Sequence, residues 1–218
     1  MTVSEHSPAF HLSASELEIW RGETCVIQDL SLALSAGEML WIKGPNGSGK
    51  TSLLRVLLGL APRESGRVQW CGRPVRPGDS EFLADIAWCG HRTGLRAELS
   101  ARENLAAWLP VTGVEPGLSI DQALEQMGLG ARMNLPCGQL SAGQQKRAAL
   151  ARLLLSPARL WCLDEPLTGL DDGGVDQVGE MLATHCARGG AVLVSSHQAL
   201  PDSAGAGREL MLGGMASA

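Results

Sequence analysis

The eight residues Gly44-Pro45-Asn46-Gly47-Ser48-Gly49-Lys50-Thr51 constrain this chain more than any other segment. They fit the pattern G-x-x-x-x-G-K-[ST]. Before them stands a compact apolar run, Met39–Ile42, and after them a stretch with Leu53, Leu54, Leu57 and Leu58. The run has the length of a buried strand, and the leucines fall on one face of a helix. A strand must therefore pass into a helix through a glycine-rich loop, whose backbone N–H groups can converge on phosphate oxygens without Cβ clashes. The helix adds the positive end of its dipole. In such a loop Lys50 reaches the β- and γ-phosphates and the Thr51 hydroxyl faces Mg²⁺, with Ser52 completing the first turn. Taken alone, the loop implies a nucleoside triphosphate and nothing narrower.

The rest of the chain alternates strand and helix signals, which points to α/β architecture. Leu17–Trp20 and Cys25–Ile27 read as short strands, as do Arg67–Cys71, Ile86–Cys89, Leu160–Leu163 and Ala191–Ser195. Thr51–Leu60, Ser141–Leu155 and Val175–Cys186 read as helices. Ala97–Met133 is helical in pattern, broken by Pro110, Gly113, Pro116 and Gly117. The expected organisation is one domain over 1–218, with a helical lobe at about 97–157 inserted into an α/β core. Segments 1–15 and 202–218 are expected at the periphery, the latter loosely held apart from an edge strand near Leu210–Leu212.

Composition narrows the function classes. Net charge is −5 and lysine occurs only at positions 43, 50 and 146, which argues against nucleic acid as the main partner. No run approaches the roughly 18 to 20 apolar residues of a membrane-spanning helix. The polar start Met1–Ser15 carries Glu5 where a signal peptide would be basic and then apolar, so a cytosolic chain with peripheral membrane contact is expected. Cys25, Cys71, Cys89, Cys137, Cys162 and Cys186 follow no metal-ligand spacing and read as buried free thiols in a reducing compartment.

Further motifs sort the phosphate-loop classes. None of Asn46, Asn104 or Asn134 is followed by Lys, so the N-K-x-D guanine reader of GTPases is absent. Instead Leu140-Ser141-Ala142-Gly143-Gln144-Gln145 opens a helix, and Leu160-Trp161-Cys162-Leu163-Asp164-Glu165-Pro166 follows. Ser141 and Gln144 form a capping-box pair, while a Ser hydroxyl, the Gly143 N–H and a helix N-terminus also make an anion site. Asp164 ends a strand and can hold Mg²⁺ or its water.

With these motifs the chain resembles the ATP-binding subunits of ABC transporters from about Leu17 to His197. The resemblance implies a phosphate-loop NTPase of the ABC ATPase type: a RecA-like core, an antiparallel β subdomain and an inserted helical subdomain. It implies ATP hydrolysis with Mg²⁺, Glu165 as general base and His197 as the residue that contacts the γ-phosphate and orients Glu165. It makes the active site shared between two copies of the chain. Ser141, Gly143 and Gln144 would contact the ATP held by the partner copy, and Asp171, in Thr168-Gly169-Leu170-Asp171, would lie between subunits. His6, His11 and His185 lack such context and read as surface residues.

Two positions depart from the family pattern. His91 stands where a metal-contacting Gln is usual, and Mg²⁺ prefers oxygen ligands; a hinge position fits it. The chain has no Tyr, and Arg21 aligns with the residue that stacks on adenine. Its guanidinium plane could do so, whereas strand alternation points Trp20 to the other face, toward a core role. Gly90–Leu95, Leu99–Leu105 and Leu140–Leu153 narrow the resemblance to the ATP-binding subunits of bacterial cytochrome c maturation systems. That implies integral membrane subunits of the maturation complex as partners at the cytoplasmic face of the inner membrane, and no direct haem binding by this chain. Glu103, Trp108 and Leu109 could face such a partner or fill the core of the lobe.

Overall fold

The computed structural model describes residues 11–112 and 117–213. The helix breakers Gly113 and Pro116, together with His6, lie outside them. In chain order, β1 (His11–Arg21) and β2 (Thr24–Ser35) form a long hairpin, and β3 (Met39–Lys43) leads through the glycine loop into α1 (Lys50–Leu57). Next come β4 (Ser65–Trp70), β5 (Arg73–Pro74), α2 (Ser80–Ala84) and β6 (Ile86–Cys89). The helices α3 (Ala101–Thr112), α4 (Ile120–Gln126) and α5 (Ala142–Leu154) follow. The chain closes with β7 (Leu160–Asp164), α6 (Asp172–Ala187), β8 (Ala191–Ser195) and β9 (Arg208–Met211).

The strands form two sheets. One is antiparallel, in the order β2-β1-β4-β5; the other runs β6-β7-β8-β3-β9, with every pairing parallel. β7 and β8 are buried along their whole length, which is why both read as unbroken apolar runs.

Alternation along these strands divides the interior in two. Leu40 and Ile42, Leu160 and Cys162, and Ala191 and Leu193 face α1 and the antiparallel sheet. Met39 and Trp41, Trp161 and Leu163, and Val192 and Val194 face the side covered by α3 to α6. Leu53, Leu54 and Leu57 of α1 are fully buried on the first side, each contributing about 1.5–3 kcal/mol of transfer free energy.

Among the helices, buried Asn104 accepts from Arg96 N–H and donates to the carbonyls of Arg96, Leu99 and Ser100, fixing the turn into α3. An Arg102–Asp121 ion pair ties α3 to α4. Trp108 and Leu109 are half-buried against this helical cluster, whereas Glu103 is exposed and its carboxylate accepts from Ser100 N–H and Oγ–H.

Several sequence expectations are corrected here. The first two strands are far longer than expected, because left-handed residues Glu16 (φ 52°) and Asp29 (φ 49°) interrupt their alternation without ending the pairing. The segment after Pro201 is packed rather than loose, with Ala204 and Leu212 buried, while the edge strand expected near Leu210–Leu212 is present as β9, parallel to β3. Trp20 is not core; it is 47% exposed and its Nε1–H donates to Glu18. His11 is half-buried in β1. His185 is not a surface residue either. Its ring stacks on Trp161 with centroids 3.8 Å apart, and burial lowers its pKa to about 4, so it is neutral at pH 7. Of the cysteines, Cys89, Cys137 and Cys162 are buried, and burial pushes their thiols up; Cys25 and Cys186 are half-buried and Cys71 is exposed.

Candidate active site

Because the second sheet is parallel, the carboxyl ends of β3, β7 and β8 lie along one edge, and the loops that leave them meet there. The loop after β3 ends at Gly49, which sits at φ 95° as the N-cap of α1. That conformation is one an L side chain rarely adopts. It aims the first turn of α1 back across the sheet edge and buries Lys50, whose Nζ donates to the carbonyls of Gly44 (2.8 Å) and Pro45 (3.2 Å). The Ser48 hydroxyl is buried and has no hydrogen-bond partner among the described residues.

Asp164 closes β7 at 3% exposure, and a buried carboxylate needs donors. It has two: Thr51 Oγ1–H to Oδ2 at 2.8 Å and Ser195 Oγ–H to Oδ1 at 2.7 Å. Glu165 leaves the strand in a left-handed conformation, φ 52°. Its N–H is shared by the carbonyl oxygen (3.1 Å) and hydroxyl oxygen (3.0 Å) of Ser195. Its side chain then bridges two elements. Oε1 lies 3.3 Å from Lys50 Nζ, and Oε2 lies 2.7 Å from His197 Nδ1 and accepts from His197 N–H at 3.3 Å. Lys50, Glu165 and His197 thus form one connected set, with Thr51 and Asp164 beside it.

A cleft of about 520 Å³ opens over this set. Arg21, Asn46, Gly47, Gly49, Lys50, Thr51, Ser52, Arg55, His91, Glu165, Thr168 and His197 line it. Arg21 reaches it from the end of β1 and Trp20 does not line it, in agreement with strand alternation. His91 lines both this cleft and an adjoining one that contains Asp164, Arg92 and Arg152.

The remaining expected site residues lie elsewhere. Ser141 is the N-cap of α5: its Oγ accepts from Gln144 N–H, while the Gln144 side chain accepts from Ser141 N–H. A Cβ on Gly143 would stand 2.7 Å from the Gly169 carbonyl oxygen, so the signature turn packs tightly on the loop 168–171. Asp171 caps α6 by accepting from Gly174 N–H. None of Ser141, Gly143, Gln144 or Asp171 lines the phosphate-loop cleft. Ser195 is the residue that sequence reasoning passed over. Its only signal was a hydroxyl at the end of an otherwise apolar strand.

Residues 27–168 match the family described as ABC transporter. Over 191 residues the chain is 45% identical to a cytochrome c biogenesis ATP-binding export protein CcmA of Cupriavidus metallidurans, covering 87% of this chain and 90% of the relative. The CcmA protein of Salmonella typhi is 43% identical over 203 residues, covering 93% and 97%. In fold, the chain is similar to an ABC transporter ATP-binding protein of Pyrococcus furiosus, with a TM-score of 0.80, 22% identity and coverage of 93% and 97%. An ATP-binding cassette of an ABC transporter in its ADP conformation superposes with a TM-score of 0.72 at 23% identity, over 87% of this chain and 82% of that one. A glycine loop feeding Lys50 toward Glu165, and relatives this similar along nine-tenths of their length, lead to one conclusion: the chain belongs to the ABC transporter family, in the group of the CcmA proteins, and is an ATP-hydrolysing ATP-binding protein.

Proposed function

We propose that the chain is the energising subunit of a bacterial membrane complex in cytochrome c maturation, where ATP hydrolysis drives haem delivery or the release of a haem-loaded chaperone. The observation that carries the catalytic part is the Lys50–Glu165–His197 set at the floor of the phosphate-loop cleft. The system-level part rests on the CcmA relatives, whose printed name is cytochrome c biogenesis ATP-binding export protein.

In this reading the loop 44–51 and Ser52 hold the phosphates, and Arg21 stacks on the adenine. Glu165 takes the proton of the attacking water, and His197 holds the Glu165 carboxylate in place through the 2.7 Å contact. Lys50 stabilises the charge that develops on the γ-phosphate. The donor set beside it, the Thr51 hydroxyl and the Asp164 carboxylate, is the hard oxygen pair that suits Mg²⁺. When bound there, Mg²⁺ neutralises phosphate charge. His91 serves as a hinge residue at the mouth of both clefts.

Ser141, Gly143 and Gln144 stand apart from the chain's own nucleotide cleft. The reading therefore assigns them, with Asp171, to the ATP held by a second copy of the chain. A helix N-terminus carrying a hydroxyl and a glycine N–H suits a γ-phosphate. No described helix is long and apolar enough to cross a membrane, so attachment to the cytoplasmic face of the inner membrane runs through integral membrane subunits of the maturation complex. Nucleic acid and haem itself are not bound in this proposal.

The test is complementation. A strain lacking the protein should accumulate no c-type cytochrome, recover with the wild-type chain, and fail with Glu165→Gln. The tagged chain should sediment with membranes and copurify a membrane subunit. Normal cytochrome c in the deletion strain, or a wholly soluble protein in cells with intact partners, would overturn the proposal.

A further inference from the structure

We propose that Ser195 is a positioning residue that holds Asp164 and Glu165 in the one arrangement that keeps Asp164 Oδ2 beside Thr51 Oγ1, where the two oxygens can take the cation together. The inference rests on the reading above that Thr51 and Asp164 hold Mg²⁺.

Asp164 of β7 and Ile42 of β3 both pair with Ser195 of β8, so Ser195 sits between the other two carboxyl ends. Its alternation class, shared with Ala191 and Leu193, puts its side chain on the α1 side of the sheet, the side that Asp164 and Thr51 also occupy. Ser195 is 0% exposed and Asp164 is 3% exposed, so the bond between them is shielded from bulk water.

A hydroxyl has one proton and two lone pairs. Ser195 spends the proton on Asp164 Oδ1 at 2.7 Å and a lone pair on Glu165 N–H at 3.0 Å. The polarity is therefore fixed: Glu165 N–H donates to Ser195 Oγ, whose O–H donates to Asp164 Oδ1. Two consequences follow. Oδ1 is occupied from inside the protein, so the Asp164 carboxylate can rotate only by losing a buried bond, and Oδ2 stays turned toward Thr51 Oγ1. The shared N–H bond to the hydroxyl and the carbonyl of Ser195 also holds Glu165 in its left-handed backbone conformation, which directs its side chain to Lys50 and His197. One hydroxyl thus sets the direction of both acidic residues. Residues that orient a metal ligand from behind typically change metal affinity about 10- to 100-fold when removed.

The experiment is Mn²⁺ binding, followed by the loss of the free-ion EPR signal in the presence of ADP, together with ADP affinity measured in EDTA. Ser195→Ala should weaken Mn²⁺ binding about tenfold or more while leaving ADP affinity in EDTA within twofold. Ser195→Thr, which restores the hydroxyl, should recover Mn²⁺ binding. Ser195→Cys keeps the volume with only a weak donor and should behave like Ala; it replaces Ala as the deciding variant if Ala does not fold. Unchanged Mn²⁺ affinity in the folded variant overturns the inference, as does an equal loss of ADP affinity in EDTA, which marks a merely structural hydroxyl. Asp164→Asn keeps the two failures apart. If it too leaves Mn²⁺ affinity intact, the cation reading itself is wrong; if it abolishes binding while Ser195→Ala does not, only the role of Ser195 falls.

Discussion

The carboxyl edge of the parallel sheet and the start of α5 are the two regions assigned to phosphate in the proposed reading, yet they are finished to different degrees. At the sheet edge the charged groups answer one another: Lys50 faces Glu165, Glu165 faces His197, and Thr51 faces Asp164. At α5 the polar groups answer only locally. Ser141 and Gln144 close a capping box on an exposed helix start, and none of the signature residues lines the chain's cleft. The first region can bind and polarise a nucleotide with its own side chains. The second lies outside that cleft, and on the proposed reading it meets the phosphate of another copy.

The largest expected effect breaks the first region. Glu165→Gln keeps the shape and removes the proposed base, so steady-state turnover should fall about 10²- to 10⁴-fold while ATP affinity stays within a few-fold. Measured by phosphate release and by nucleotide titration, normal turnover in this variant would remove Glu165 from its assigned role. The same variant should accumulate as an ATP-bound dimer in size-exclusion chromatography.

Next in size is a test of the division itself. In mixed dimers with one Ser141→Ala copy, hydrolysis should fail at the ATP of the partner, by about 10- to 100-fold for one lost hydrogen bond to a charged group. Pairing that copy with a Lys50→Ala copy, in either arrangement, reports which site is lost. Loss at the mutated copy's own site would erase the comparison, since the α5 start would then serve its own chain. The cap contributes separately, about 1 kcal/mol to stability, which a thermal melt reads without nucleotide.

Smaller again is the effect of crowding the signature turn. Gly143→Ala places a Cβ 2.7 Å from the Gly169 carbonyl oxygen, so one of the two backbones must shift. A loss of about 1–3 kcal/mol in denaturant-derived stability is expected, with nucleotide affinity at the phosphate loop unchanged. Altered affinity would show that the two regions are coupled within one chain.

The two regions also differ in how far they could be read beforehand. The sheet edge was legible because its parts are contiguous: an apolar run, a glycine loop and a leucine stripe for Lys50 and Thr51, and an apolar run ending in acid for Asp164 and Glu165. Their joining with His197 follows from parallel pairing, which alternating strand and helix signals already imply. Ser195 was not legible, since its role depends on cross-strand register and on which face of β8 it occupies. The same holds for His185, whose partner Trp161 is 24 positions away on another element, and for the burial of Ala204 and Leu212, although the edge strand of the tail was itself legible near Leu210–Leu212. The full length of the β1–β2 hairpin is hidden in the sequence because Glu16 and Asp29 break the period of two while the ladder continues.

The smallest effect tests how the first region reads the base rather than the phosphates. Arg21 lines the cleft beside the loop residues, and the exposed Trp20 is turned away to Glu18. A guanidinium stacked on an exposed ring contributes about 0.5–1 kcal/mol, so Arg21→Ala should weaken ATP binding roughly two- to fivefold. Inorganic triphosphate offers the same charges without a base, and its affinity should fall less. An equal loss for both ligands would make Arg21 a phosphate-side cation, and the sheet edge would then discriminate nucleotides by charge alone. A loss with Trp20→Ala and none with Arg21→Ala would instead require the end of β1 to rotate when nucleotide binds, because in the present arrangement the indole donates its proton to Glu18 and is not part of the cleft lining.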